Sequence, residues 1–344
     1  MTDPRRCKPT LDDVLLALRA EVREGQLADA LQCGPFTLLS RIGEGAVAEV
    51  FSAVRGAGRG ATHAVKLLRA GIDSEEMLER FARERRIVES LAHPGIVPVI
   101  DAGVHASGSP WLAMPLVRGS AVTQAADDAA LDLESRLVLA RRLVSAIAAA
   151  HAAGVVHRDL KPGNALAELT KDGVLQPRVI DFGMARSVIS SGIRLTPISP
   201  AHRMGTPAYM APEQWDLGLA ACDESADVFA LGMILGELLC GLVPRDGAWM
   251  KARSDASAAQ SGRSRSAARR SRPGNAMPPT QVLRALTLTD PLRADQIAER
   301  RRCRSGDELA AKIEDFDSLV ARCCAEKPEG RPADAGALLA LMPK

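Results

Sequence analysis

Strand-length runs dominate the first part of this chain and helical spacing dominates the rest, a change of period that few folds accommodate. FTLLSRI from Phe36 and EVFSAV from Glu49 flank the glycine-bearing turn GEGA, and HAVKLL from His63 follows the turn GAGRG. A helix is expected from Asp73, which can cap it, with Glu76 at the capping-box position three residues on. Further helices are expected over Glu134 to His151 (closed by Gly154), Asp227 to Cys240 and Phe316 to Ala325. Strands first and helices after predict an α+β chain of two lobes around one cleft, with residues 35–117 in a strand-rich first lobe and 118–344 in a helical second lobe. Ahead of them Leu11, Val14, Leu15, Leu18 and Val22 keep helical spacing, so 1–34 reads as a small helical segment.

Composition narrows the setting. Aromatic residues make up 3% of the chain against 47% apolar residues in all, so the core must be built from Ala, Leu, Val and Ile. The most apolar run, Val228 to Val243, is short and carries Glu237, which marks a buried helix rather than a membrane span. The N-terminus lacks the apolar core of a signal peptide. Seven irregularly placed cysteines without a CxxC pair suggest neither a disulfide framework nor a zinc site, and the adjacent Cys323 and Cys324 read as buried structural thiols. A reducing cytoplasm and no membrane anchor are therefore expected.

Charge is unevenly placed. Lys251 to Pro279 holds seven basic residues and Asp255 alone among acids, while the whole chain carries 44 basic and 42 acidic residues, so the remainder is acidic on balance. This stretch, about 251–279, is Ser-, Ala-, Arg-, Gly- and Pro-rich without periodicity and is expected to be a disordered insertion. No aromatic interrupts it to stack on bases, and no nucleic-acid partner is expected.

Three segments carry chemistry. Gly43 and Gly45 lie between two strands, where glycine lets a backbone approach phosphates and turn sharply, although a Gly-rich hairpin is often only a turn. Lys66 stands on a strand as Ala64-Val65-Lys66. An isolated strand lysine is usually an exposed charge, but Glu84 interrupts the apolar stripe of Met77, Phe81, Val88 and Leu91 and needs a partner, since an unpaired buried charge costs several kcal/mol. Lys66 is the natural one. The densest segment is His157-Arg158-Asp159-Leu160-Lys161-Pro162-Gly163-Asn164, followed by Asp181-Phe182-Gly183. A carboxylate for a nucleophilic hydroxyl, a cation for a phosphate and oxygen ligands for Mg²⁺ are the groups that phosphoryl transfer needs.

These motifs resemble those of the bacterial members of the eukaryotic-like Ser/Thr protein kinase family. The likeness runs from about Phe36 to Met342 and takes in the Gly-rich loop, AVK, the helix glutamate, HPGIV at His93 to Val97, HRDLKPGN, DFG, GTPAYMAPE and DVFALG. It departs at Ala48, where the third glycine of the loop is usual, and at Pro115 in the hinge. The resemblance implies the two-lobed protein-kinase fold and transfer of the ATP γ-phosphate to protein Ser/Thr hydroxyls, with Mg²⁺ (or Mn²⁺) as metal. By it, Asp159 accepts or orients the substrate hydroxyl, Lys161 steadies the γ-phosphate, Asn164 and Asp181 hold the metal, and Lys66 with Glu84 anchors the phosphates. Ile42, Gly43, Gly45, Val50, Ala64, Leu166, Met114 as gatekeeper, Pro115 and Val117 bind the nucleotide. Thr206 with Lys161 matches the Ser/Thr-specific arrangement.

The resemblance also implies architecture: Glu213 pairing with Arg331, Asp227 bonding the backbone around His157, and His151 packed at a helix end. Arg158 implies an activating phosphate on Ser190, Ser191, Thr196 or Ser199. The basic insertion itself reads first as a solvated linker, and second, from its serines beside arginines, as a tail that the chain phosphorylates. Two other readings stand beside this one. A nucleotide-binding scaffold without turnover commonly lacks one of Lys66, Asp159 and Asp181, all present here; a small-molecule phosphotransferase lacks the GTPAYMAPE platform.

Overall fold

The computed structural model describes residues 32–45, 48–56, 58, 60–68, 91–182, 209–216, 222–240, 316 and 318–343. The N-terminal helical segment, the helix from Asp73 with Glu84, the loop bearing Thr206 and the four serine and threonine acceptors, and the basic insertion lie outside these residues. The chain divides into two compact units, Met1–Leu78 with Val99–Leu116, and Glu79–Pro98 with Val117–Lys344.

The first unit holds a six-stranded antiparallel sheet. Its strands are β1 (Gln32–Cys33), β2 (Phe36–Glu44), β3 (Ala48–Arg55), β4 (His63–Leu68), β5 (Asp101–Val104) and β6 (Pro110–Pro115), in the order β1-β2-β3-β4-β6-β5. Alternation decides what each face does. Phe51, Ala53, Val65, Trp111 and Ala113 turn to one side and pack with Cys33, Phe36 and Leu38 in a closed cluster. Gly34 belongs to that packing: it sits at φ +57°, and a Cβ there would stand 2.7 Å from the Trp111 ring. The register then fixes the other side. Val50 opposes Lys66, Lys66 opposes Leu112, and Ala64 lies between Ser52 and Met114.

The second unit is mostly helical around a small sheet of β7 (Gly119–Ala121), β8 (Ala165–Leu169) and β9 (Leu175–Val179). Among the described residues its helices include α1 (Val122–Asp128), α2 (Leu133–Ala152), α3 (Pro212–Asp216), α4 (Glu224–Leu235) and α5 (Ala335–Leu341). Helix α2 begins where the Asp132 carboxylate accepts from Ser135 N–H, a bond that also holds this acid below the usual carboxylate range, and it ends before Gly154 at φ +74°. It buries Leu139, Leu143, Ile147 and their Ala and Val neighbours. Each large aliphatic side chain so buried stabilises the unit by about 1.5–3 kcal/mol.

Two boundaries differ from the sequence reading. Helix α4 starts before Asp227, because Asp223 caps it by accepting from Ser225 N–H at 3.0 Å; the apolar run follows the cap rather than marking it. Past Leu235 the chain continues as a π-helical turn, Gly236–Cys240, instead of regular α-helix. Val97 N–H donates to Val179 O and Val179 N–H to Gly95 O, while Ile96 bridges Val179 in parallel, so the strip ending at Pro98 belongs to the second unit.

Candidate active site

In the second unit one tight turn carries the densest group of functional side chains. The Oδ2 of Asp159 accepts from Lys161 Nζ at 3.0 Å and from Asn164 Nδ2 at 3.2 Å, and the same Nδ2 donates to Asp159 O at 2.8 Å. The turn closes with Asn164 N–H on Lys161 O, and Ile180 N–H donates to Asn164 O, which sets Asp181 beside the same turn. A carboxylate, an ammonium and an amide thus converge through backbone that is itself hydrogen-bonded.

Buried side chains hold that backbone. Asp227, 1% exposed, accepts His157 N–H at 2.6 Å and Arg158 N–H at 2.8 Å. Its Oδ2 also receives His151 Nε2–H at 3.0 Å; His151 Nδ1 accepts from Ala335 N–H, which leaves the ring proton on Nε2. By the same logic His157 accepts from Asp159 N–H at Nδ1 and donates from Nε2 to Ile180 O at 2.9 Å, with its ring 4.8 Å from that of Phe182. Arg158 and Asp181 are held in the left-handed region at φ +63° and +61°. Backbone of that kind costs about 1–3 kcal/mol per residue and persists only where the surroundings over-determine it.

Other predicted pairs also form. Glu213 meets Arg331 in a two-pronged bond at 2.6 and 2.9 Å, and Arg331, fully buried, also donates to Ala325 O, Ser225 O and Glu326 O. Sequence reasoning missed three anchors. Arg136, 1% exposed, donates to Leu131 O, Leu238 O and Ala126 O and pairs with Asp127. Glu237 accepts from Tyr209 OH and Thr123 Oγ1. Gln214 bridges Arg158 and Ala211. The only signal for any of them was a charge inside an apolar run, at Glu237.

The first unit carries the remaining predicted residues. Val50, Ala64, Lys66 and Met114 share the sheet face opposite its cluster, with Gly43 paired to Val50. Ile42 is half-exposed at the β2 irregularity, and Pro115 ends β6 opposite His63. Gly45 closes the turn, donating to Ala48 O at 2.8 Å. Neither Gly43 nor Gly45 has positive φ, and a Cβ on either would meet only ordinary contacts at 3.5 Å or more. The sharp turn expected of them is therefore not what requires glycine. Leu166, half-buried on β8, and Val117 belong to the second unit.

The residues expected to hold Mg²⁺ fit that ion. Asn164 commits its amide nitrogen to Asp159, which leaves its oxygen as the ligand atom, and Asp181 adds a carboxylate. Two hard oxygen donors, completed by phosphate and water, suit Mg²⁺ better than a closed protein cage. Among the described residues no cluster of three or more His, Cys, Asp or Glu could hold a metal by itself.

Comparison with known proteins decides the family: the protein kinase domain matches residues 36–340. The chain belongs to the protein kinase family. Bacterial serine/threonine-protein kinases are among its relatives. It is 37% identical over 223 residues to the DNA damage-responsive serine/threonine-protein kinase RqkA of Deinococcus radiodurans, covering 62% of this chain and 31% of that protein. It is 35% identical over 205 residues to the serine/threonine-protein kinase pkn3 of Myxococcus xanthus, covering 59% of this chain and 37% of the relative. The chain thus spans about a third of the length of these curated relatives. Among solved structures a double mutant of the Mycobacterium tuberculosis PknI kinase domain matches with a TM-score of 0.57 at 22% identity, covering 92% of this chain and 97% of that one, a likeness of fold. The bacterial Ser/Thr kinase resemblance and the protein-kinase fold drawn from the motifs both hold.

In this kinase chain Cys33, Cys222, Cys323 and Cys324 are free and buried, as expected for the last two. Burial pushes the thiols of Cys33 and Cys222 up to about 11 and that of Cys323 to about 12, and it raises Cys324 as well. Burial also lowers His93, whose Nδ1 accepts from Gly95 N–H. No helix among the described residues is long and apolar enough to cross a membrane.

Proposed function

We propose that this chain transfers the γ-phosphate of ATP to serine or threonine hydroxyls of protein substrates, with Mg²⁺ as metal. The observation that carries the reading is the Asp159 carboxylate, fixed by Lys161 and Asn164 on a turn that Asp227 holds from beneath. Asp159 orients the hydroxyl and takes its proton. The Lys161 ammonium neutralises charge on the transferring phosphoryl group. Asn164 and Asp181 hold Mg²⁺, which when bound neutralises phosphate charge. Lys66 anchors the α and β phosphates, and Val50, Ala64 and Met114 bind the base; Glu84 and Leu166 are the residues that the family likeness assigns to the same two tasks. The glycines at 43 and 45, which the hairpin itself does not demand, leave room for phosphate to lie against the backbone. Relatives named as serine/threonine kinases support the substrate class, and a match to Rad53 solved with AMP-PNP supports a nucleotide ligand. Free buried thiols suit a reducing cytoplasm.

The test is transfer of labelled γ-phosphate to a basic protein. Asp159→Asn should lower it by about 10²- to 10⁴-fold, the range of general acid–base catalysis. Lys66→Met and Asp181→Asn should also abolish most transfer while the variants stay folded. An Asp159→Asn enzyme that keeps most of its activity removes the reading.

A further inference from the structure

Gln214 follows the Glu213 of the Arg331 pair and is 8% exposed, yet its amide does not serve that pair. Its Oε1 accepts Ala211 N–H at 2.8 Å and its Nε2 donates to Arg158 O at 3.0 Å. The partners fix which end is which, since an N–H needs the oxygen and a carbonyl needs the nitrogen. The carbonyl that Gln214 grips belongs to the peptide linking Arg158 to Asp159. The N–H of that same peptide donates to His157 Nδ1 at 3.3 Å. The preceding peptide, on the other side of the strained Arg158, is held by Asp227. Gln214 therefore supplies the bond that fixes the tilt of the peptide leading into Asp159. Its other bond goes to Ala211, next to Tyr209 and Met210, and those two line one depression with Asp159 and Lys161.

We infer that Gln214 is a positioning residue that couples the strip Tyr209–Ala211, whose Tyr209 and Met210 line that depression, to the orientation of Asp159. The inference rests on the reading of Asp159 as the residue that orients the hydroxyl. A peptide settling on the strip presses, through Ala211 and the Gln214 amide, on the carbonyl next to the catalytic carboxylate. The link runs to the peptide before Asp159 and makes no bond to Lys66, Asn164 or Asp181, so it should act on hydroxyl transfer and leave ATP binding alone.

Two substitutions separate the bonds. Gln214→Glu keeps the oxygen that accepts from Ala211 and, ionised, turns a second acceptor on Arg158 O. Gln214→Met removes both bonds at similar volume. Each should lower kcat for a Ser/Thr peptide by about 10- to 100-fold, the cost of small misplacement at a reacting centre, with KM for ATP within about twofold of wild type. Backbone amide exchange at His157 to Asp159 should quicken in both variants while α2 keeps its protection. Unchanged kcat in both variants overturns the coupling. So does a parallel fall of kcat, ATP affinity and melting temperature, which marks a residue that only holds the fold. The exchange arm needs no phosphotransfer, so a coupling that fails is distinguishable from an Asp159 assignment that fails.

Discussion

The two units of this kinase hold their functional residues by different means. In the first unit the sheet register does it: Val50, Lys66, Ala64 and Met114 come to one face because their strands pair in that order. Arg41 reaches Glu44 and Glu49 at 3.1 Å each, with the first two partly open to solvent. In the second unit, buried side chains grip backbone. Asp227, His157, Arg331 and Arg136 are all close to fully enclosed, and each spends its polar atoms on N–H or C=O groups far away in sequence. A ladder of repeated backbone bonds tolerates the loss of one side chain. A single buried acceptor shared by three donors does not.

The largest effect should therefore follow Asp227→Asn. One of the two oxygens that receive His157, Arg158 and His151 becomes an NH₂ facing a donor, which leaves buried N–H groups unpaired. At about 1–3 kcal/mol for each orphaned group, a loss of about 3 kcal/mol in denaturant unfolding is expected, together with most phosphotransfer activity. Loss of activity without loss of stability would show that Asp227 acts on the catalytic turn alone and would weaken the contrast between the units.

That contrast also separates what was legible in the sequence from what was not. Asp159, Lys161 and Asn164 could be read because one turn brings them together, and their spacing is the geometry. Glu213 with Arg331, and Asp227 with the His157 backbone, could be read only through the family likeness, since they lie far apart in the chain. Arg136 and Gln214 left no trace. Most of their partners are backbone N–H and C=O groups, and a backbone group has no letter in a sequence. The start of α4 was misplaced because the apolar run begins after its cap, and the π-helical turn at Gly236 has no compositional mark.

A smaller and more selective effect is expected from Gly43→Ala in the first unit. A Cβ there meets Val50 at 3.5 Å, ordinary contact, and the residue lies outside the left-handed region. Stability should change by less than about 1 kcal/mol, the scale of Gly-to-Ala exchange at an unstrained position. If glycine is kept there for phosphate, KM for ATP rises while the melting temperature holds. Equal losses in both would mean that the hairpin itself needs this glycine, and the first unit would then be no more forgiving than the second.

The smallest effect at neutral pH concerns the buried thiols, which occur in both units. Cys33 lies in the first, held up to about 11, and Cys323 in the second, held up to about 12, from an ordinary value of 9.0. In both cases burial disfavours the thiolate. The folded chain therefore keeps protons that the unfolded chain releases as pH passes 9. Where the native state binds more protons, stability falls as pH rises, so nothing should change between pH 7 and 8.5 and unfolding should become easier from about pH 9 to 12. Cys33→Ala and Cys323→Ala should each flatten that decline, Cys323→Ala over the wider window. Native protein at pH 8 should also resist iodoacetamide at both positions until denaturant is added. Prompt alkylation of Cys33 with Cys323 protected would show that the first unit opens locally while the second stays closed, and would extend the contrast from side-chain anchoring to motion.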